Sequence, residues 1–212
     1  MIKLYGIALS NYTNMIKAVL AEKGIDYEMV IVPPSQHPDY LAKSPMGRVP
    51  CLETAGGFLS ETKPILDYLE DLKPSPALLP SEPYQRAKVR ELAQTLELYV
   101  ELVARKGIGQ IFGKELPDHM KKTMARNLPL GIAAVRSLAK FSPWIAGDQF
   151  TYADVFAYYT FGLADMLAKP ATGIDLYAEI PGATDWFKMV GERPAIKAVD
   201  AAMMEARAKM SA

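Results

Sequence analysis

Two stretches of this sequence hold most of its capacity for chemistry. The first is GRVPCLETAGGFLSET, from Gly47 to Thr62. Val49 precedes Pro50, which pushes Val49 towards extended dihedrals, and a proline heading a strand has no amide to give a neighbour. The N–H and C=O of Val49 are therefore expected to stand free at a sheet edge, where an extended, peptide-like ligand can pair with them. Ser60-Glu61-Thr62 then leads into the helical pattern Ile65, Leu66, Leu69, Leu72. A carboxylate, a hydroxyl and unpaired helix-start amides meet there, and such amides attract anions. The second stretch is Ser10-Asn11-Tyr12. Taken alone, Ser10 reads as the N-cap of the helix that follows. Tyr12 offers a phenolic O–H, or an apolar wall for a second substrate. Cys51 is the one cysteine and sits inside a strand, so it reads as a small buried hydrophobe without a partner for thiol–disulfide chemistry. His37 and His119 are the only histidines, so no zinc site is expected.

The elements that must hold these groups follow from pattern. Ile2 to Tyr5 alternates as a strand, and Tyr12 to Lys23 reads as a helix with Ile16, Val19 and Leu20 inward and Gly24 as its stop. Tyr27 to Val32 is a second strand, and Pro33-Pro34-Ser35 breaks regular structure. Val49 to Glu53 and Phe58-Leu59 form a hairpin across Ala55-Gly56-Gly57. The expected order is a βαβαββα domain over residues 1–78. Lys73 to Pro83, KPSPALLPSEP, reads as a linker. An all-helical domain over residues 85–212 is expected beyond it. Val89, Leu92, Leu96, Tyr99 and Val103 make a stripe expected to be buried. Pro129 should kink or split a helix running from Asp118 to Phe141, and Pro170 should end the helix before it. Thr151 and Asp154 have capping-box spacing, flanked by Phe150 and Val155 as a hydrophobic staple. Tyr158, Tyr159 and Phe161, at helical spacing, are expected in the core.

Composition sets limits. The chain has 212 residues, half of them apolar, enough for a substantial core. Lys+Arg and Asp+Glu balance at 24 each, so neither nucleic acid nor an anionic membrane surface is an expected partner. No apolar run approaches the ~18 residues needed to span a bilayer. Polar Ser10-Asn11 interrupts the N-terminal apolar residues before a signal-peptide core forms. A single cysteine fits a reducing compartment, and the chain is expected to be cytoplasmic.

SPMGRVPCL followed by SETKPI resembles the glutathione-binding pattern of the cytosolic glutathione transferases. LYGIALSNYTNMIKAVLAEKG, GDQFTYADV and the closing EIPGATDWFKMVGERPAIKAV look like the same family, so the resemblance covers nearly the whole chain. It implies a thioredoxin-like domain followed by a helical bundle, and a serine-type member, theta/phi-like or bacterial. It also implies a cis Pro50, with the Val49 main chain pairing with the cysteinyl unit of glutathione. Glu61 and Thr62 would hold the γ-glutamyl end, Thr62 standing for the commoner serine and Pro64 for the commoner alanine. The glycyl carboxylate would need a cation or amide donor. Arg48 and His37 are the candidates, with Gln36 and Lys43 behind them; alone, His37 reads as a solvated loop histidine. Ser10 would stabilise the thiolate, with Asn11 and Tyr12 as alternatives. Met46 would contribute to a subunit contact.

The activity implied is conjugation of glutathione, the co-substrate, to apolar electrophiles held in a cleft between the domains of a homodimer. A detoxification role, and no further cofactor, go with it. Glutathione-dependent isomerisation or peroxide reduction at the same site is an alternative. So is a non-catalytic binding or regulatory protein with this fold.

Overall fold

The computed structural model describes residues 1–211. The elements, in chain order, begin with β1 (Ile2–Gly6), α1 (Asn11–Glu22), β2 (Tyr27–Ile31), α2 (Pro38–Leu41), β3 (Cys51–Thr54), β4 (Gly57–Ser60) and α3 (Thr62–Leu72). Then come α4 (Pro83–Thr95), a π-helical segment (Leu96–Glu101), α5 (Leu102–Ala104) and a 3₁₀ segment (Arg105–Phe112). The chain closes with α6 (Asp118–Leu138), α7 (Tyr152–Thr172), α8 (Leu176–Glu179), α9 (Ala183–Gly191) and α10 (Pro194–Ser211). They group into two compact units, Met1–Leu78 with the described chain from Glu192 onward, and Leu79–Gly191.

The first unit is built on a four-stranded sheet in the order β2-β1-β3-β4. β1 runs parallel to β2 and antiparallel to β3, and β3 pairs antiparallel with β4. This is the expected thioredoxin-like βαβαββα order, with α2 supplied by four residues that the sequence pattern did not mark. Leu4 and Leu52, opposite each other in the ladder, are buried, and Met15, Ile16, Val19 and Leu20 of α1 are buried with them. From α3, Ile65, Leu66 and Leu69 are buried, each such side chain worth roughly 1.5–3 kcal/mol, while Leu72 is exposed. α10 returns to this unit, where Arg193 grips Glu22 of α1 through Nε–Oε1 (2.7 Å) and the second nitrogen–oxygen pair (2.6 Å).

The proline-rich stretch after α3 has no regular structure, but its first half is pinned. Lys23, wholly buried at the end of α1, donates to the carbonyls of Lys73 (2.8 Å) and Pro76 (2.9 Å) and pairs with Glu70 at 2.5 Å. An ammonium has three protons, and three acceptors meet it, which is what a buried charge requires. Glu70 in turn accepts the N–H of Leu78.

The regular elements of the second unit are all helical among the described residues, and they correct two expectations and narrow a third. Val89, Leu92 and Leu96 are buried as expected, but Tyr99 is 53% exposed and Val103 half-buried, and Val100 and Ala104 take their places. The π-helical turn inserts one extra residue, so the buried stripe moves on by one position. Pro129 does not split α6, and Pro170 does not end α7, which runs to Thr172 and stops at Gly173 in the left-handed conformation. Both prolines lie on exposed faces, where water can meet the carbonyl that each leaves without a donor. Tyr158, Tyr159 and Phe161 are core residues as expected, Tyr158 stacking on Phe187 at 4.3 Å between ring centroids. Among the described residues no helix is long and apolar enough to cross a membrane.

The expected capping box closes around Asp154, which is fully buried. Its Oδ2 accepts the N–H of Thr151 at 2.9 Å, and its Oδ1 accepts the N–H of Ile145 and Nε1–H of Trp186, both at 2.8 Å. Burial pushes the carboxyl above its ordinary range, and these donors pull the other way. One side chain thus ties the loop before α7 to α9. Thr151→Ala is expected to cost about 1–2 kcal/mol. Trp186→Phe, which strands one lone pair of Asp154, is expected to cost about 1–3 kcal/mol. Urea denaturation checks both, and wild-type midpoints for the two variants would remove this knot as a stabilising element.

Candidate functional site

The register places the chemistry at one end of the sheet. Tyr5 lies opposite Cys51, and Cys51 opposite Ser60. The outgoing end of β1, the incoming end of β3 and the outgoing end of β4 therefore lie side by side. They bring together the loop leading to Ser10, the Val49-Pro50 pair, and Glu61-Thr62.

The approach to β3 is tightly specified. Ser35 N–H donates to Gly47 O at 2.9 Å, and Gly47 N–H donates to Ser44 O at 2.7 Å. Gly47 has φ +63°, and a Cβ there would sit 2.2 Å from the Ser35 carbonyl oxygen, so only glycine fits. The Ser44 hydroxyl accepts from Arg48 N–H (3.2 Å) and donates to Arg48 O (2.8 Å), which also accepts from the Tyr40 hydroxyl (3.0 Å). Both polar groups of Arg48's backbone are thereby satisfied. Val49 follows, joined to Pro50 by a cis bond as expected, and the ladder resumes only at Cys51. Among the described residues, the N–H and C=O of Val49 make no hydrogen bond.

At the end of β4 the cap differs from expectation in detail. Glu61, not Thr62, is the N-cap of α3, and it holds φ +70°, where residues other than glycine are uncommon. Such a conformation costs about 1–3 kcal/mol and tends to mark a functional position. The Glu61 carboxylate is exposed and makes no cap bond, while Thr62 is 4% exposed. Ile65 N–H makes the first α-type bond, to Glu61 O, so Pro64 falls at the third helical position, whose N–H has no intrahelical acceptor. The substitution for alanine is accommodated.

Ser10 is the N-cap of α1, its Oγ accepting Thr13 N–H at 3.2 Å. That bond uses a lone pair and leaves the hydroxyl proton available, so the cap and a donor role are compatible. Asn11 is buried and Tyr12 half-buried in the first turn.

The remaining candidates separate. Gln36 and Arg48 line one pocket of about 340 Å³ with Ser35 and Gly47, and Gln36 donates to Met46 O at 3.2 Å. His37 does not line it; its Nδ1 accepts Asp39 N–H at 3.4 Å as the cap of α2. The Lys43 ammonium lies over the rings of Phe58 (4.7 Å) and Tyr5 (5.7 Å), a cation–π placement. Cys51 is buried with its thiol directed at Lys43 O, and burial above all pushes its pKa up to about 11. Tyr40 and Ser44 were missed from sequence; the only signal was their place in a loop closed by Ser44-Pro45, a turn-initiating pair.

A thioredoxin-like unit with an unpaired backbone at the sheet's end, followed in the chain by a helical unit, defines the architecture of the glutathione transferases. Residues 4–77 match the description "Glutathione S-transferase, N-terminal domain", and residues 121–188 match "Glutathione S-transferase, C-terminal domain". The chain is 42% identical to a glutathione S-transferase of Pseudomonas putida, over 92% of this chain and 89% of that protein. It is 31% identical to a maleylacetoacetate isomerase of Pseudomonas aeruginosa, over 73% of this chain and 77% of that one. Among solved structures, a glutathione S-transferase from Rhodospirillum rubrum superimposes with a TM-score of 0.76 at 28% identity, covering 94% of this chain and 91% of that one. The chain belongs to the glutathione S-transferase family.

A thiol with a pKa of about 11 is roughly 0.1% ionised at pH 8. Cys51 in the native protein should therefore resist iodoacetamide at pH 8, with modification rising about tenfold per pH unit, and should react at once in 6 M urea. Mass spectrometry reads the outcome, and rapid native modification at pH 8 would show that the thiol is activated.

Proposed function

We propose that this chain binds glutathione along the Val49 edge and conjugates it, through its sulfur, to an apolar electrophile. The observation that carries this reading is the Val49 main chain, unpaired at the end where Glu61, Thr62 and Ser10 converge. The cysteinyl N–H and C=O of the tripeptide pair with Val49 as a short added strand. The Glu61 carboxylate takes the γ-glutamyl ammonium, and the Thr62 hydroxyl and first amides of α3 take its carboxylate. Arg48, with Gln36 beside it, takes the glycyl carboxylate, since these two share a pocket that His37 does not line. Ser10 donates its hydroxyl proton to the thiolate. The thiolate forms a carbon–sulfur bond with the electrophile as the leaving group departs with its electron pair, or as an activated double bond takes up a proton. Exposed Met46 in the first unit, and Leu98, Tyr99 and Leu102 in the second, supply apolar surface for a second copy in a homodimer. The one cysteine is free and buried, which suits the cytoplasm. Glutathione-dependent isomerisation is the second reading, favoured by the similarity to a maleylacetoacetate isomerase.

The gain from Ser10 is bounded. A thiol of pKa about 8.5 is about 3% ionised at pH 7, and one of about 6.5 is about 75% ionised. That ~25-fold gain loses about 6- to 10-fold to lower intrinsic nucleophilicity, so orientation must supply most of any larger acceleration. Ser10→Ala should leave glutathione affinity nearly intact and raise the bound thiol's pKa by about one to two units, the worth of a hydrogen bond to a charged group. The rate deficit should shrink towards pH 9. Ultraviolet thiolate absorbance against pH tests this beside Asn11→Ala and Tyr12→Phe. A shift confined to Tyr12→Phe moves the role to the phenol, and no thiolate in saturated wild type at neutral pH refutes activation. Arg48→Ala should weaken glutathione binding about 2- to 5-fold, as expected for an exposed ion pair. It should leave γ-glutamylcysteine, which lacks the glycyl carboxylate, unaffected in calorimetry; equal losses for both ligands would remove Arg48 from that subsite.

A further inference from the structure

Asn14 has no part in the binding scheme above, yet it is wholly buried one helical turn after Ser10. Its Nδ2 donates to Ala8 O at 2.8 Å, while its own N–H donates to Ser10 O at 2.9 Å. Its Oδ1 is buried without a hydrogen-bond partner among the described residues. An amide placed with half its capacity unspent is costly, and its position must be maintained by what the other half does.

Resting on the assignment of Ser10 to the thiolate, we infer that Asn14 is the positioning residue that aims the Ser10 hydroxyl. The loop from Ile7 to Ser10 is short, and its peptide planes are fixed one by one. Ser10 N–H donates to Ile7 O at 3.1 Å, which fixes the plane between Leu9 and Ser10. Ser10 O is held by Asn14 N–H, and Ser10 Oγ by Thr13 N–H. The plane between Ala8 and Leu9 is held through the Asn14 side chain. Because a peptide is planar, anchoring the Ala8 carbonyl also sets the direction of the Leu9 N–H and the entry of the chain into Ser10. Thr13 adds a stop behind the loop, since a Cβ on Gly6 would lie 2.5 Å from Thr13 Oγ1. Without the Asn14 amide, one plane of this series is free to rotate, and a hydroxyl displaced by even 1 Å loses much of a hydrogen bond to sulfur.

Asn14→Ala and Asn14→Ser, with Ser10→Ala as reference, test the assignment in the full chain; either variant suffices if the other does not fold. S-methylglutathione, which has no thiol, should bind both variants within about twofold of wild type. The pKa of bound glutathione's thiol should rise by about one unit, which for a wild-type value near 6.5 cuts the thiolate at pH 6.5 from about 50% to about 9%. The turnover rate at that pH should fall about twofold at unchanged KM, because the less acidic thiolate is about 2.5- to 3-fold more nucleophilic, and no deficit should remain at pH 8.5. A residue with only a structural role would instead lower the melting temperature and weaken both ligands together, with no change in the pH profile, and that result overturns the inference. A shifted thiol pKa in Ser10→Ala but wild-type values in folded Asn14 variants overturns it alone. No shift in any of the three overturns the assignment of Ser10 as well.

Discussion

The Ser44 hydroxyl, bridging the N–H and C=O of Arg48, is the contact on which the candidate binding end of this molecule turns. It closes the loop after α2 and delivers the chain to β3 at a fixed angle, with Tyr40 sharing the load. A backbone polar group in a folded protein is normally paired, and here the pairing is complete at residue 48 and lapses at residue 49. An unpaired donor and acceptor are held in place by a neighbour whose own groups are fully used. Gly47, with Ser35's carbonyl against it, excludes any looser version of the turn.

The two units solve the problem of buried charge in similar ways. Lys23 in the first and Asp154 in the second are each surrounded by partners matched to their capacity, ammonium protons to carbonyls and a carboxylate, carboxylate lone pairs to backbone and indole N–H groups. In both cases one partner comes from a helix, Glu70 of α3 or Trp186 of α9, and the others from segments without regular structure, so the charge ties loops to helices that apolar packing alone would leave loosely specified. The candidate site is different in kind. Glu61 is exposed and in an uncommon backbone conformation, and Ser10 has a proton to give. The unpaired backbone of Val49, the Glu61 carboxylate and the Ser10 hydroxyl proton lie together at one end of the sheet.

How far the sequence reveals this depends on how local each cause is. Strand alternation in Ile2 to Tyr5, the Val49-Pro50 break and the Thr151–Asp154 box are written within a few residues, and the structure has each of them. The π-helical turn is not, because the stripe from Val89 to Leu96 looks like an ordinary helix until Gly131 of α6 is pressed against the Tyr99 carbonyl, leaving no room for a Cβ. Pro170 misled, and Pro129 leaves α6 unsplit, for a related reason: whether a proline ends a helix depends on which side of it faces water. Glu61's positive φ and Ser44's pair of hydrogen bonds with the Arg48 backbone arise from tertiary placement, so residue type alone could name Glu61 as a candidate but could not single out Ser44. His37, suggested for a ligand, is used to start a four-residue helix.

The return of α10 to the first unit has a consequence for the birth of the protein. Glu22 emerges early in synthesis, but Arg193, its bidentate partner, is made some 170 residues later. A domain that is contiguous in sequence can close on the ribosome as soon as it clears the exit tunnel, at about 5–20 residues per second of elongation. The sheet and its first helices can begin to assemble on that schedule. The surface of α1 that receives α10 must wait, uncovered, while the helical unit is translated. The first unit to begin is the last to be finished, and the helical unit between its two parts can be complete before it.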